Sequence, residues 1–277
     1  MFVIIHSFFS LQVTGAAHGL GRAIALELAK QGCHIAIADI NLEGAEETVR
    51  QITEAYPVRS RAYKVDAASY SELSELKSNI LRDLGPVTIL INNAAILLLD
   101  NPMDPDPKDI QRIVDVNFTS HFWTKKLFLP QMKQLNKGHI VNISSCTSVL
   151  PFPYNSAYCA TKFGVTGHMR ALRLELAFEK CHNIHVCTVL PWFLRTNNEV
   201  CDLNEMIKFS DFYPLISGAG AARRIVKGIL NNEREVFLPD FLCLLYRLLY
   251  LFPLSWQEKV FVLFSRKHIQ MMVKVRS

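Results

Sequence analysis

The sequence predicts a doubly wound α/β fold, a parallel sheet with helices on both faces, in a single domain. Three observations predict it. Short apolar runs alternate with helical stretches along most of the chain. One run, Val87-Thr88-Ile89-Leu90-Ile91, is continuous and rich in β-branched residues, as suits a strand covered on both faces. A glycine-rich turn over residues 14–21 separates the first apolar run from a helix. With 277 residues, 50% of them apolar, the chain can bury one large core.

The elements follow in order. Residues 1–9 are apolar but fall far below the ~20 residues of a spanning helix. They lack the basic start and small-residue cleavage site of a secretory signal. The first strand belongs at residues 9–13, in mid-sheet, where Ser10 and Gln12 are poor residues for two-sided burial. Next comes Thr14-Gly15-Ala16-Ala17-His18-Gly19-Leu20-Gly21, then a helix over 22–31 stopped by Gly32. Glycines let backbone approach a pyrophosphate, and the helix N-terminus favours the anion. Gly15, His18, Gly19, Leu20 and Gly21 are therefore candidate cofactor contacts, in a G-x-x-x-G-x-G spacing rather than the commoner G-x-G-x-x-G.

The second strand, 34–39, ends in Asp39, followed by Ile40. A carboxylate here, about 20 residues past the glycines, can accept hydrogen bonds from the adenosine ribose and repel the extra phosphate of NADP. No arginine follows, so NAD is expected over NADP. The alternative is that Asp39 caps the next helix. That helix runs 43–55, a strand 61–65 ends at Asp66-Ala67, and a helix runs 70–84 to Gly85-Pro86. The strand at 87–91 delivers Asn92-Asn93-Ala94-Ala95. A long helix over 106–133 contains Asn117, and the strand at 138–145 delivers Ser144 and Ser145 at its carboxyl end, where ligands sit in such sheets.

Tyr158-Cys159-Ala160-Thr161-Lys162 opens the next helix, with Tyr158 and Lys162 one turn apart on one face. A phenol titrates near 10, and a neighbouring ammonium stabilises the phenolate. Such a tyrosine can exchange a proton with an alcohol or carbonyl during hydride transfer. Alone, the pair is also what a solvated helix face looks like. A strand over 184–189 leads to Pro191, Trp192, Phe193 and Thr196. Residues 195–215 lack a period and read as a substrate loop, before a helix over 218–231 and a strand over 235–238. Phe152, Tyr154, Trp192, Phe193, Phe209 and Phe212 are candidates for an apolar pocket.

Composition narrows the classes. The net charge of +5 suits anionic small ligands or an anionic membrane, and is too scattered for nucleic acid. The seven cysteines are dispersed with no C-x-x-C, pointing to reduced thiols. The nine histidines show no metal-ligand spacing, so no metal is expected. The tail, 241–277, carries two apolar runs with basic flanks, as in interfacial membrane attachment. Its alternatives are a helix closing the pocket or a dimer contact.

Together the motifs resemble the short-chain dehydrogenase/reductase family over nearly the full length, with its Rossmann-type sheet. Thr14-Gly15-x-x-x-Gly19-x-Gly21 is similar to its nucleotide turn, and Asn92-Asn93-Ala94-Ala95 to its N-N-A-G, with alanine for the glycine. Ser145, thirteen residues before Tyr158-x-x-x-Lys162, resembles the family serine, and Asn117 the family's helix asparagine. Asp39-Ile40-Asn41 and Phe237-Leu238-Pro239 resemble the branch of retinol dehydrogenases and hydroxysteroid 17-beta-dehydrogenases of endoplasmic reticulum and lipid droplets.

The resemblance implies an NAD-dependent oxidoreductase acting on a lipophilic alcohol or carbonyl such as a retinoid, steroid or fatty alcohol. Tyr158 would be general acid/base, with Lys162 lowering its pKa and bonding the nicotinamide ribose. Ser145 would hold the substrate oxygen and Asn117 a relay water. Asp66 and the Ala67 amide would meet adenine, with Asn92, Asn93 and Ala94 beside the cofactor and Pro191 and Thr196 at the carboxamide. It also implies a homodimer through the Asn117 and Tyr158 helices, and a catalytic domain, 1–240, facing the cytosol from a reticulum or droplet surface, or cytoplasmic if the tail only packs. Two departures stand out: Trp192 replaces the family glycine after Pro191, and the branch's longer apolar leader is missing, which reads as an altered or truncated N-terminus with a weakened first strand. The competing expectations are an NADPH carbonyl reductase and a catalytically impaired droplet-surface protein.

Overall fold

The computed structural model describes residues 10–97, 104–196, 215–263 and 266. Its main sheet has seven parallel strands in the order β3-β2-β1-β4-β5-β6-β9. The strands are β1 Ser10–Thr14, β2 His34–Asp39, β3 Ser60–Lys64, β4 Val87–Asn92, β5 Gly138–Ile143, β6 Ile184–Pro191 and β9 Glu235–Leu238. Two short strands, β7 Leu194–Arg195 and β8 Ile216–Ser217, pair apart from it. The order reverses direction between β1 and β4, which opens a crevice at their carboxyl ends.

Helices cover both faces. α1 Gly19–Lys30, α2 Leu42–Ala55 and the helix before β9, α7 Gly218–Leu230, lie on one side. α3 Tyr70–Asp83, α5 Ser120–Gln134 and α6 Ser156–Phe178 lie on the other. Their caps follow from sequence: Asn41, Ser69 and Ser217 each accept a backbone N–H of the first turn with the side chain. β4 is buried along its whole length, as its β-branched run predicts.

Two expectations change in detail. The helix predicted over 106–133 is α4 Pro107–Val114 and α5, joined by one widened turn, Asp115–Thr119, that holds Asn117. β1 forms in mid-sheet between β2 and β4 despite its polar residues, with a register slip against β4 at Ser10 and Leu11. Gln12 is fully buried there, and neither of its side-chain polar atoms has a partner among the described residues.

The tail continues as α8 Leu242–Leu249 and a helix over 254–263. Among the described residues no helix is long and apolar enough to cross a membrane. The described cysteines are free thiols, and no cluster of metal-ligating side chains occurs among the described residues. The expected substrate loop, with Phe209 and Phe212, lies almost wholly outside the described residues.

Candidate active site

The glycine turn is locked to β4 by short polar contacts. Gly15 has φ +66°, and a Cβ on it would meet Ala94 Cα at 2.7 Å. Only glycine fits that conformation and that approach. The Asn93 side chain donates to the carbonyls of Thr14 and Gly15 at 3.0 and 2.8 Å. The Thr14 hydroxyl accepts from the amides of Asn93 and Ala94 at 3.0 and 3.2 Å. α1 starts at Gly19 behind His18, whose side chain makes no capping hydrogen bond, and its first turn holds no acid. Its first amides thus face the turn, a cradle that fits a pyrophosphate.

Asp39 is buried at the end of β2. Its Oδ2 accepts from the Ala17 amide at 2.8 Å and its Oδ1 from the Asn41 amide at 2.9 Å. The cap of α2 is Asn41, not Asp39, so the alternative role falls away. Two acceptor sites stay free on the Asp39 carboxylate. Asp66 is held by an arginine that no sequence motif singles out. Arg112 donates to it through both Nη1 and Nη2, at 2.8 and 3.0 Å, while the Ala68 amide adds a third bond. Burial works to raise this carboxyl; the hydrogen bonds and charge of Arg112 outweigh it and hold the group below its ordinary range.

At the other end stand Ser145, Tyr158 and Lys162. Ser145 follows β5, and its Oγ accepts the Thr147 amide at 3.2 Å. A buried hydroxyl chain fixes this corner: Ser144 bonds the Lys162 carbonyl and Thr166, Thr166 donates to Ser148, and Ser148 donates to the Ser145 carbonyl. The Lys162 ammonium donates to the Ile143 carbonyl at 3.0 Å and lies 5.4 Å from the centre of the Tyr158 ring. Burial pushes it down to about 8. Burial raises the Tyr158 phenol above its ordinary value, and a hydrogen bond with Ser145 works against that rise. The expected lowering of the phenol by Lys162 is therefore not what this arrangement shows.

A cleft of about 540 Å³ joins these parts. It is lined by Gly15, His18, Gly19, Leu20, Asp39, Ile40, Asp66, Ala67, Asn93, Ala94, Ser145, Tyr158, Lys162, Pro191 and Thr196, all expected from the sequence. It is also lined by Arg112, Cys146 and Asn155, which were not expected. Three expected residues lie behind the wall. Gly21 packs under the turn, where a Cβ would meet the Gly15 carbonyl at 2.2 Å. Asn92 points between strands and donates to Asn142 at 2.8 Å. Asn117 is fully buried and clamps the Ile96 backbone, accepting from its amide at 2.8 Å and donating to its carbonyl at 2.9 Å. Of the apolar candidates, Phe152, Trp192 and Phe193 line the cleft and Tyr154 does not.

A doubly wound sheet with a glycine cradle at its switch point and a Ser-Tyr-Lys cluster at the far end of the same cleft is the framework of a nicotinamide-dependent oxidoreductase. The sequence pattern of the short chain dehydrogenase family matches residues 11–204. This chain belongs to that family. It is 33% identical over 244 residues to epidermal retinol dehydrogenase 2 of Mus musculus, across 88% of this chain and 78% of that protein. It is 31% identical to estradiol 17-beta-dehydrogenase 11 of Rattus norvegicus, across 87% and 78% of the two chains. A solved putative short-chain alcohol dehydrogenase from Sinorhizobium meliloti superposes with a TM-score of 0.69 at 29% identity, across 78% of this chain and 88% of that one. A metagenomic short-chain oxidoreductase solved in complex with NADP shares the fold, with a TM-score of 0.70 at 24% identity, across 83% and 96%.

Proposed function

We propose that this protein moves a hydride between NAD and a lipophilic alcohol or carbonyl, with Tyr158 as the general acid/base. The observation that carries the proposal is the meeting of Ser145, Tyr158 and Lys162 at the opposite end of the cleft from Asp39 and Asp66. The nicotinamide, when bound, supplies the hydride chemistry. The chain's own groups do the rest. Ser145 holds the substrate oxygen by a hydrogen bond and stabilises charge developing on it. Tyr158 takes the hydroxyl proton in oxidation, or gives it to the carbonyl oxygen in reduction. The buried Lys162 ammonium, over the phenol ring, favours the phenolate once the tyrosine gives up its proton. Asn117 acts at a distance from the cleft, by fixing the Ile96 wall.

The preference for NAD rests on Asp39, whose free acceptor sites suit ribose hydroxyls and whose charge disfavours a phosphate. Asp66 and the Ala67 amide are assigned to adenine. A greasy substrate is supported by Phe152, Trp192 and Phe193 in the wall and by the names of the relatives, a retinol and an estradiol dehydrogenase. The apolar runs with basic flanks in residues 241–277 support a site of action on the cytosolic face of reticulum or droplet. Exposed Phe122, Phe163 and Phe178 on α5 and α6 support a homodimer through those helices.

A fluorescence titration with NADH and NADPH tests the cofactor assignment: tight NADH and weak NADPH binding is expected, and the reverse order would make the protein an NADPH carbonyl reductase. Tyr158→Phe should lower turnover of retinol or estradiol by about 10²–10⁴-fold while NADH binding persists. Full activity in that variant would remove Tyr158 from the chemistry.

A further inference from the structure

One side of α8 packs on the domain, where Leu242, Cys243 and Tyr246 lie against Val149, Leu190 and Phe237. The Tyr250 hydroxyl donates to the Val149 carbonyl at 3.4 Å. The other side points outward at helical spacing, with Leu244, Leu248 and Leu251 exposed by 63%, 48% and 78%. The helix over 254–263 adds Leu254, Trp256 and Leu263, also mostly exposed. Contiguous exposed apolar surface of this kind marks an interaction site.

Charge says what covers it. Of the chain's 30 lysines and arginines, six lie after residue 240, beside a single acid, Glu258. The tail's excess of five equals the net charge of the whole chain, +5, so residues 1–240 are neutral overall. Arg247, Lys259 and Arg266 are exposed among the apolar residues. Apolar side chains interleaved with cations match an interface where acyl chains lie beneath anionic headgroups. An apolar protein partner would give that charge nothing to pair with.

The tail also reaches the cleft. The Phe261 ring stands edge-on to Phe152 at 6.2 Å, and Phe152 edge-on to Phe193 at 6.5 Å. Phe152 and Phe193 line the cleft on the side of Tyr158. An apolar seam thus runs from the outward face of the tail to the substrate end.

We propose that the outward face of residues 241–263 docks on an anionic phospholipid surface, and that an apolar substrate passes between lipid and cleft along the Phe152–Phe261 seam. The second half rests on the oxidoreductase function proposed above; the first half does not. Each basic side chain near such a surface tightens binding by about fivefold.

Flotation of the full chain with vesicles tests the docking. Vesicles of equal phosphatidylcholine and phosphatidylserine should carry the protein, with a blue shift of Trp256 emission, while phosphatidylcholine alone should bind it at least about tenfold more weakly. Leu248→Glu with Leu251→Glu should abolish flotation and leave NADH affinity and melting temperature unchanged. Equal flotation of that variant, or of wild type with both vesicles, overturns the docking. So does a soluble oligomer that the same two changes dissolve, since a second copy would then be the occupant. For the seam, Phe261→Ala should change KM severalfold for retinol carried in vesicles and leave kinetics with a short water-soluble alcohol unaltered; an unchanged retinol KM overturns it. If vesicles bind yet no alcohol is turned over, the oxidoreductase function fails and the seam with it, while the docking stands.

Discussion

A carboxamide buried without hydrogen-bond partners costs about 1–3 kcal/mol, and Gln12, at the centre of the sheet, has none among the described residues. Methionine has nearly the same shape and no polar group to desolvate. Gln12→Met should therefore stabilise the fold by about 1–2 kcal/mol, read as a rise in melting temperature of a few degrees. A fall would mean that Gln12 has partners in solution. Arg112 is the opposite case. Its two bonds compensate the partly buried Asp66 carboxylate, and bonds to charged groups contribute about 1.5–3 kcal/mol. Arg112→Ala leaves Asp66 uncompensated in the cleft wall, so NADH binding should weaken by about tenfold or more. Unchanged affinity in a titration would show that Asp66 does not meet the cofactor. Lys162 gives a pH dependence. Burial lowers it to about 8 from its ordinary value of 10.5, so the unfolded chain holds this proton more tightly. Its cost to the fold is fully present below about 8 and fades as pH rises toward 10.5. Wild type should therefore gain stability over that window relative to Lys162→Met, a difference that denaturant midpoints at matched pH would detect.

The widened turn between α4 and α5 shows which elements the sequence reveals and which it hides. Apolar residues recur at helical spacing straight through Asn117, so periodicity predicts one helix, and the inserted turn leaves no mark on the pattern. Strands were legible because each depends on neighbours in sequence, as the β-branched run of β4 shows, whereas the cap weighed at Asp39 falls instead to Asn41, three residues before Gly44. The glycine turn was legible for the same reason as the strands. Pairings across the chain were not. Arg112 meets Asp66 across 46 residues, and Asn92 turns toward Asn142 rather than the cleft, which depends on the strand's pleat and its neighbour in the sheet. The turn itself has a testable role. Asn117→Ala would leave the amide and carbonyl of Ile96 without this partner, two part-buried bonds at about 1 kcal/mol each. Melting temperature should fall by a few degrees, and an unchanged melting temperature would show that the Ile96 backbone is not what Asn117 holds.

At the scale of the whole molecule, the cleft is made by loops from both halves of the sheet. Gly15 follows β1 and Asp39 ends β2, Asp66 and Ala94 follow β3 and β4, and Ser145 follows β5 while Pro191 ends β6. A ligand filling the cleft therefore touches strands on each side of the switch point and binds only when all of them are in place. Such a ligand stabilises the native chain by RT ln(1 + [L]/Kd), about 2.7 kcal/mol at a hundredfold excess over Kd. NADH should raise the melting temperature of the entire domain in a single transition rather than stabilise one half. Gly15→Val separates binding from generic solvent effects, because its side chain would strike Ala94 from a backbone already at φ +66°. That variant should melt lower than wild type and show no NADH-dependent rise. A rise equal to that of wild type would place the nucleotide elsewhere than against this turn.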